Sequence, residues 1–281
     1  MMDQETKKKF ELVELRSYKV VKSNDIIQKA RYDLNLYELK ALAFVFSKIK
    51  PTDGPFQEYD FTLKEYCQVM GLNYNDTAGN YQTVKKTFSG MLGKYFWIPN
   101  ESGGQTSIHW LEKVKIEKVK REKSENDKVE WWKIKVRLDE DLQEYLLGLY
   151  KNFTEYELLS TLALKSSYSF RLYELLKSYS YLRRKSFTIE ELRENIAASH
   201  YHNFKDFRKF VLDKATKEIN KYTDIEVSYE KELEGRRVVG ITFFIKQKDT
   251  AQRYKSFKTA EAEIDGQLNI FDYMKEVSKD E

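Results

Sequence analysis

The chain has 281 residues, 41% of them hydrophobic, 15% aromatic and 33% charged, with a formal net charge of +4 at pH 7. That is long and apolar enough for two domains with cores, but the net charge is too small to mark a nucleic-acid binder unless the charge is clustered. Cys67 is the single cysteine, which excludes an intramolecular disulfide and a cysteine-based zinc site and fits a reducing cytosol. The apolar run 41–46 is too short to span a bilayer, and the charged opening MMDQETKKKF does not read as a signal peptide. A cytoplasmic protein with no membrane partner is expected.

Residues 1–19 are charged and read as a loosely attached segment. Asn24 caps a helical pattern that runs to Ile49, interrupted near 33–35, with Leu36, Leu39, Leu42, Ala43, Phe46 and Ile49 at helical spacing. Pro51 and Asp53-Gly54-Pro55 end it. Phe61-Thr62-Leu63 predicts a short strand, then a helix over 63–70 capped by Thr62 and closed by Gly71. The next helix, over 80–93, places Tyr81, Val84, Phe88, Met91 and Leu92 on one side and Gln82, Lys85, Lys86 and Ser89 on the other. These two helices make a helix-turn-helix pattern with a polar, basic second member. Strands follow over 94–98, 106–120 and 128–138. In the last, Trp132, Ile134, Val136 and Leu138 alternate with Lys133, Lys135 and Arg137, one face for the core and one basic. Trp132 is thereby a core residue, and Trp131 is left free to stack on a base. The charged stretch 120–128 reads as an exposed hairpin tip, so residues 20–150 read as a winged helix with an enlarged wing.

Residues 138–150 are leucine-rich and cross to the second half, where helical patterns cover 154–164 and 167–181. Phe187-Thr188-Ile189 then repeats the earlier motif, with Thr188 capping a helix over 189–196 and Glu191 placed as in a capping box. Phe204, Phe207, Val211, Ala215, Ile219 and Tyr222 recur at steps of three and four. Lys205, Lys209, Thr216, Lys217 and Asn220 lie on the other arc. Ile225, Val227 and Tyr229 alternate toward a tip at Glu234-Gly235-Arg236-Arg237, and Val239, Ile241, Phe243 and Ile245 alternate on the return. Helix, short strand, helix, helix, hairpin thus occurs twice. The expected fold class is α+β: two tandem winged-helix (helix-turn-helix) domains with β-hairpin wings, the second over 151–247.

Between 200 and 221, Lys205, Arg208, Lys209, Lys214, Lys217 and Lys221 face only Asp206, Asp213 and Glu218. That excess alone favours an ordinary solvated face. Arg171, inside an aromatic-rich helix, suits a structural ion pair with Glu174 or a domain-packing partner. Residues 248–266 read as a polar linker. Beyond them Gln267, Leu268, Ile270 and Phe271 resemble the peptide by which bacterial proteins bind the replicative sliding clamp; the alternative is a last helical turn packed on the second domain.

Catalytic patterns are weak. His200-Tyr201-His202 has the His-apolar-His form of a rolling-circle nicking site, but it falls at a turn before a helix, and His109 is far away in the chain. Gly90-Met91-Leu92-Gly93-Lys94 lacks phosphate-loop spacing. No enzyme activity, metal or cofactor is expected.

Two stretches carry a resemblance. KSSYSFRLYELLK over 165–177, with FRKFVLDKATKEIN, YTDIEVSYE, GRRV and ITFFI over 207–245, resembles the second winged helix of the iteron-binding plasmid replication initiators. The opening VKSNDIIQKARYDLNLYELKALAFVFSKIKP resembles their first helix. The stretch 195–200, NIAASH, is longer than the turn in many members, and the charged wing at 120–128 is also distinctive. The resemblance implies binding to directly repeated double-stranded origin DNA, melting of adjacent AT-rich DNA, recruitment of host replication proteins including helicase machinery, and autorepression as a dimer, with monomer and homodimer forms. With it, the DNA-contacting set is Gln82, Lys85, Lys86 and Ser89 in the first helix, Lys205, Arg208, Lys209, Thr216 and Lys217 in the second, and Arg236 and Arg237 in the wing. The alternatives are a winged-helix transcription regulator and a metal-dependent nicking initiator.

Overall fold

The computed structural model describes residues 12–277 apart from 13, 51, 55–56, 74–76 and 125–126, with the side chains at 121–130 and 267–277 outside the description. The chain enters through β1 (Lys19–Ser23), preceded by Arg16, which is buried rather than loose. The Ser23 hydroxyl accepts from the Asp25 amide at 3.1 Å and starts α1 (Asn24–Lys29). Ser23 is therefore the cap in place of Asn24, whose side chain donates to Asn152 at 3.1 Å and accepts from Thr154 at 2.6 Å. Residues 30–35 leave the helix, and Arg31 bridges to Trp97. Asn35 and Glu38 then close a reciprocal capping box at the start of α2 (Leu36–Phe46).

The first module runs through β2 (Glu58–Thr62), α3 (Leu63–Met70), α4 (Thr77–Leu92), a hairpin of β3 (Tyr95–Pro99) and β4 (Gln105–His109), and a ribbon of β5 (Leu111–Ser124) and β6 (Asp127–Leu138). Thr62 caps α3 by accepting from the Glu65 amide at 3.0 Å, and Gly71 ends it at φ +69°, a conformation that a Cβ penalises. The strand expected over 106–120 breaks at Trp110, buried with ring centroids 4.6 Å from Phe96 and 4.8 Å from Tyr32. β2 pairs with β6 and β6 with β5.

The helix expected over 154–164 is instead β7 (Phe153–Glu157), antiparallel to β1, followed by the short α5 (Leu159–Leu162). Thr154 and Tyr156 point inward and are buried, so the segment has a strand's period of two. Leu158, Leu159 and Leu162 supply the helical spacing that hides it. Residues 153–157 are thereby hydrogen-bonded to the first half of the chain.

α6 (Ser167–Ser178) is buried on every side between the two modules, with Phe170, Leu172, Tyr173, Leu175 and Leu176 at 0–1% exposure. Toward the first module, Arg171 donates to the Tyr32 carbonyl at 2.7 Å, its guanidinium 3.6 Å above the Tyr32 ring. Toward the second, it donates to the Asn195 carbonyl. Arg171 is thus the domain-packing residue, and Glu174 takes a different partner: Lys22 Nζ at 2.5 Å, with the Tyr156 hydroxyl also donating to it. Tyr173 and Lys177 reach forward and donate to Asp224 at 2.8 and 2.5 Å.

The second module repeats the first. β8 (Arg184–Thr188) leads to α7 (Ile189–Asn195), whose cap Thr188 accepts from the Glu191 amide at 3.1 Å. α8 follows as one helix in three stretches, Phe204–Phe207, a π-helical turn Arg208–Leu212, and Asp213–Tyr222. β9 (Ile225–Glu234) and β10 (Arg237–Gln247) form the wing, and β8 pairs with β10 as β2 pairs with β6. The linker expected over 248–266 is helical from Thr250, as part of α9 (Thr250–Val277). Ser256, Ala260 and Ile264 bury one narrow seam at four-residue spacing; two of the three are small, so a hydrophobic pattern barely registers.

Two stability experiments follow. Lys22 and Glu174 are both nearly inaccessible, so Lys22→Met, which strands the carboxylate, is expected to cost about 3–5 kcal/mol in urea unfolding. Replacing both by Met and Leu should recover much of that loss; a single-variant cost under about 1 kcal/mol would refute a buried pair. Lys40 donates to the Leu162 carbonyl at 2.5 Å, and burial lowers its ammonium to about 8 from 10.5. A depressed folded value makes the linked stability complete above the unfolded pKa and lost as pH falls through the folded one. The unfolding free energy of wild type relative to Lys40→Met should therefore rise between pH 8 and pH 10.5; a flat difference would refute the shift.

Candidate nucleic-acid interface

In the first module α4 packs Val84, Phe88 and Met91 inward, and Tyr81 lies 4.4 Å from the Trp132 ring, half-buried at the edge of the core. Gln82, Lys85, Lys86 and Ser89 are all exposed on the opposite side. Leu92, expected on the apolar side, is exposed as well. The basic face expected of β6 is largely neutralised. Lys133 pairs with Asp60 at 2.6 Å, Lys135 with Glu117 at 3.5 Å and Arg137 with Glu112 at 2.8 Å. Cross-strand ladders of this kind hold register, whereas Lys85 and Lys86 of α4 lie outside this ladder and are exposed. Trp131 is half-buried, and the tip around 121–130 lies outside the described side chains.

In the second module α8 buries Phe207, Val211, Leu212, Ala215 and Ile219. Three apolar residues in a row, Phe210-Val211-Leu212, cannot all reach the core from a regular helix. The π-helical turn widens the helix so that Val211 and Leu212 both do, and it rotates Phe210 out to 41% exposure. Phe210 then lies between the ammoniums of Lys209 and Lys214, 5.2 and 5.4 Å from its centroid, and stacks on Tyr201. Lys205, Arg208, Lys209 and Lys217 are exposed on the same element, Arg208 within 3.9 Å of Asp213.

Thr216 does not belong with them. Its hydroxyl is buried and has no hydrogen-bond partner among the described residues, because Thr216 lies four residues after Leu212 and three before Ile219, both buried, and so borders the core face. Asn220 is also occupied, donating to the Val227 carbonyl at 2.8 Å and accepting from the Val227 amide at 2.6 Å, which ties α8 to the wing. Phe210 and Lys214 take the place of Thr216 in the outward patch. Their signal in the sequence is the apolar triplet that breaks the three-four spacing. Arg236 and Arg237 are exposed at the wing tip, where Gly235 turns at φ +60°.

His200 Nε2 lies 3.2 Å from the Tyr168 hydroxyl and its ring packs on Tyr201. Among the described residues no group of three or more His, Cys, Asp and Glu is placed to hold a metal ion. No described helix is long and apolar enough to cross a membrane. The hairpin β3–β4 presents Tyr95 and Trp97 outward with His109, a contiguous aromatic surface.

Sequence comparison agrees with this repeated architecture. The model of the "Initiator Replication protein, WH1" family matches residues 19–177, and that of "Initiator Rep protein, WH2" matches 188–245. A "Replication initiation protein" of Escherichia coli is 24% identical over 223 residues, covering 75% of this chain and 65% of the relative. A "PI protein" of Escherichia coli is 31% identical over 151 residues, covering 45% of this chain and 48% of the relative. The chain therefore spans about two thirds and about half of the lengths of these two relatives. Two family models in tandem, each laid over one strand-helix-helix-ribbon module, mean that the chain belongs to the initiator replication protein family.

Proposed function

We infer that this chain is a plasmid replication initiator that binds directly repeated origin DNA without performing catalysis. α4 and α8 would enter major grooves, and the Arg236–Arg237 tip would hold phosphate or minor groove. The observation that carries this reading is the repetition itself: two modules in which the second helix keeps its basic residues exposed while its apolar side supports it. Lysines on such a helix contribute phosphate attraction and register, and base specificity comes from the side chains that reach base edges. Phe210, held between two ammoniums, adds an apolar surface suited to a thymine methyl.

Melting of adjacent AT-rich DNA, recruitment of helicase machinery and repression of its own gene complete the reading, with the protein in the cytoplasm. The homodimer form would use the aromatic surface of Tyr95 and Trp97, since a contiguous apolar surface rimmed by polar residues is the usual mark of a protein interface. Gln267, Leu268, Ile270 and Phe271 would bind the sliding clamp, Leu268 and the Ile270-Phe271 pair filling apolar pockets and Gln267 fixing register. They lie within α9, and their side chains are outside the described set.

Footprinting on the DNA flanking the chain's own gene is expected to show directly repeated protected sites. Lys209→Ala with Lys217→Ala should weaken binding and flatten the log–log salt dependence by about one per lost phosphate contact. Thr216→Val, by contrast, should leave both unchanged. Unaltered affinity and slope in the double variant would show that these lysines only face solvent. For the tail, Phe271→Ala should abolish binding to purified clamp; retained binding would end that part of the proposal. Loss of plasmid maintenance on deletion distinguishes an initiator from a regulator alone.

A further inference from the structure

α9 touches the supporting side of both reading modules, and it does so with neighbouring residues. Glu263 faces the second module, 2.5 Å from Lys165 Nζ, accepting from the Tyr222 hydroxyl at 2.7 Å and lying 3.7 Å from Lys221. Two residues on, Asp265 faces the first module and pairs with Arg16 at 3.0 Å. Residues two apart on a helix point about 200° apart, so α9 is wedged between the modules and is not laid on one of them.

The contacts of the wedge fall at the end of α8 in the second module and at the end of α3, the helix before α4, in the first. At the second module, Lys248 donates to the Asn220 and Thr223 carbonyls at 2.6 and 2.8 Å, where α8 ends, and to Ser256 of α9 at 2.8 Å. At the first module, Arg16 donates to the Gln68 and Val69 carbonyls at 3.1 and 3.2 Å, satisfying the last turn of α3. Gly71, the residue that closes α3, lies directly under Ile264. A Cβ there would come 2.5 Å from the Ile264 side chain and 2.7 Å from its carbonyl oxygen. Ile264 itself is buried, and the seam from Ser256 to Ile264 spans about 12 Å at 1.5 Å per residue.

We propose that α9 is a spacer that sets the relative placement of α4 and α8, with Gly71, Ile264, Arg16 and Asp265 as positioning residues for two-module DNA reading. The DNA part rests on the function proposed above; the placement part does not. A site read by two modules gains affinity only if both engage at once, and the effective concentration of the second module depends on how narrowly its position is held. Seating the wedge on Gly71 holds the end of α3, the helix against which α4 packs, and fastening it to the end of α8 holds the other reader.

The test uses the full chain carrying Cys67→Ala and spin labels at Glu101→Cys and Lys231→Cys, one exposed site on each module and neither in the reading set. Ile264→Glu removes the seat. Asp265→Arg places like charge against Arg16 without entering the core, and Asp265→Glu is the conservative control. Without DNA, the inter-label distance distribution should be narrow in the parent and in Asp265→Glu, and distinctly broader in the other two. On DNA holding the whole site, affinity should fall about tenfold or more, with the contacts of each module still present in the footprint at higher protein concentration. Distributions as narrow as the parent's in both variants would overturn the proposal. So would a loss of the folded state in Asp265→Arg, which would make α9 ordinary core. Broadened distances with unchanged affinity would retain the spacer and refute two-module reading.

Discussion

Everything in this structure is referred to α6, a helix buried on all sides whose polar residues face two ways. Arg171 and Glu174 bind backward to Tyr32, Lys22 and Tyr156; Arg171 also binds forward to Asn195, and Tyr173 and Lys177 bind forward to Asp224. A buried ion pair adds little net stability over an apolar replacement, because two charges must be stripped of water. It does fix geometry, since each partner is satisfied in one arrangement and strongly penalised in others. An all-apolar seam would tolerate sliding between the modules. This seam has a directional bond to a strand on one side and to the start of the wing on the other. Burial, followed by the Glu174 carboxylate, keeps the Tyr156 hydroxyl protonated far above its ordinary range, so it remains a donor there.

A mildly basic protein presents a cationic surface by spending its acids elsewhere. On β6 the bases are matched across the ribbon by Asp60, Glu112 and Glu117. Lys165, Lys177 and Lys221 are matched by Glu263 and Asp224. The lysines of α4 and most of those on α8 keep their exposure without a close acid among the described residues. The net charge of +4 is therefore the wrong scale on which to judge this surface; what reaches a DNA phosphate is set within a Debye length of about 10 Å at 0.1 M salt.

Much of the fold was legible because its caps and turns obey local chemistry. Thr62, Thr188, Gly71 and the alternation of Val227, Ile241 and Ile245 give the same answer alone as in the fold. What was not legible depends on partners distant in sequence. β7 is a strand because β1 offers it an edge more than a hundred residues earlier in the chain. Residues 250–266 are helical because a small seam finds Gly71 and the end of α8; without those surfaces their composition is that of a linker. Arg16 stands in a run of charge that reads as frayed, yet it caps α3. The exposed lysines of α8 were legible from spacing alone, as were the buried Ala215, Ile219 and Tyr222. Phe210 was overlooked because a regular period of 3.6 hides the wider turn over Arg208–Leu212, and Thr216 was misplaced because it borders the face that buries Leu212 and Ile219.

That π-helical turn bears on function as well as packing. Lengthening one turn by a residue costs hydrogen-bond geometry, and the cost is offset here by burying both Val211 and Leu212. Its consequence on the outer side is a helix whose two halves present different residues than one continuous helix would. Lys205 precedes the π-helical turn, Arg208, Lys209 and the outward-turned Phe210 lie within it, and Lys217 follows it. In the first module α4 has no such interruption and presents Gln82, Lys85, Lys86 and Ser89 as an unbroken polar arc. Two copies of one topology therefore carry two different exposed surfaces on their second helices, one largely polar and one with an aromatic ring at its centre. In the proposed binding to directly repeated DNA, a protein repeated in fold and asymmetric in chemistry would give each bound site a direction.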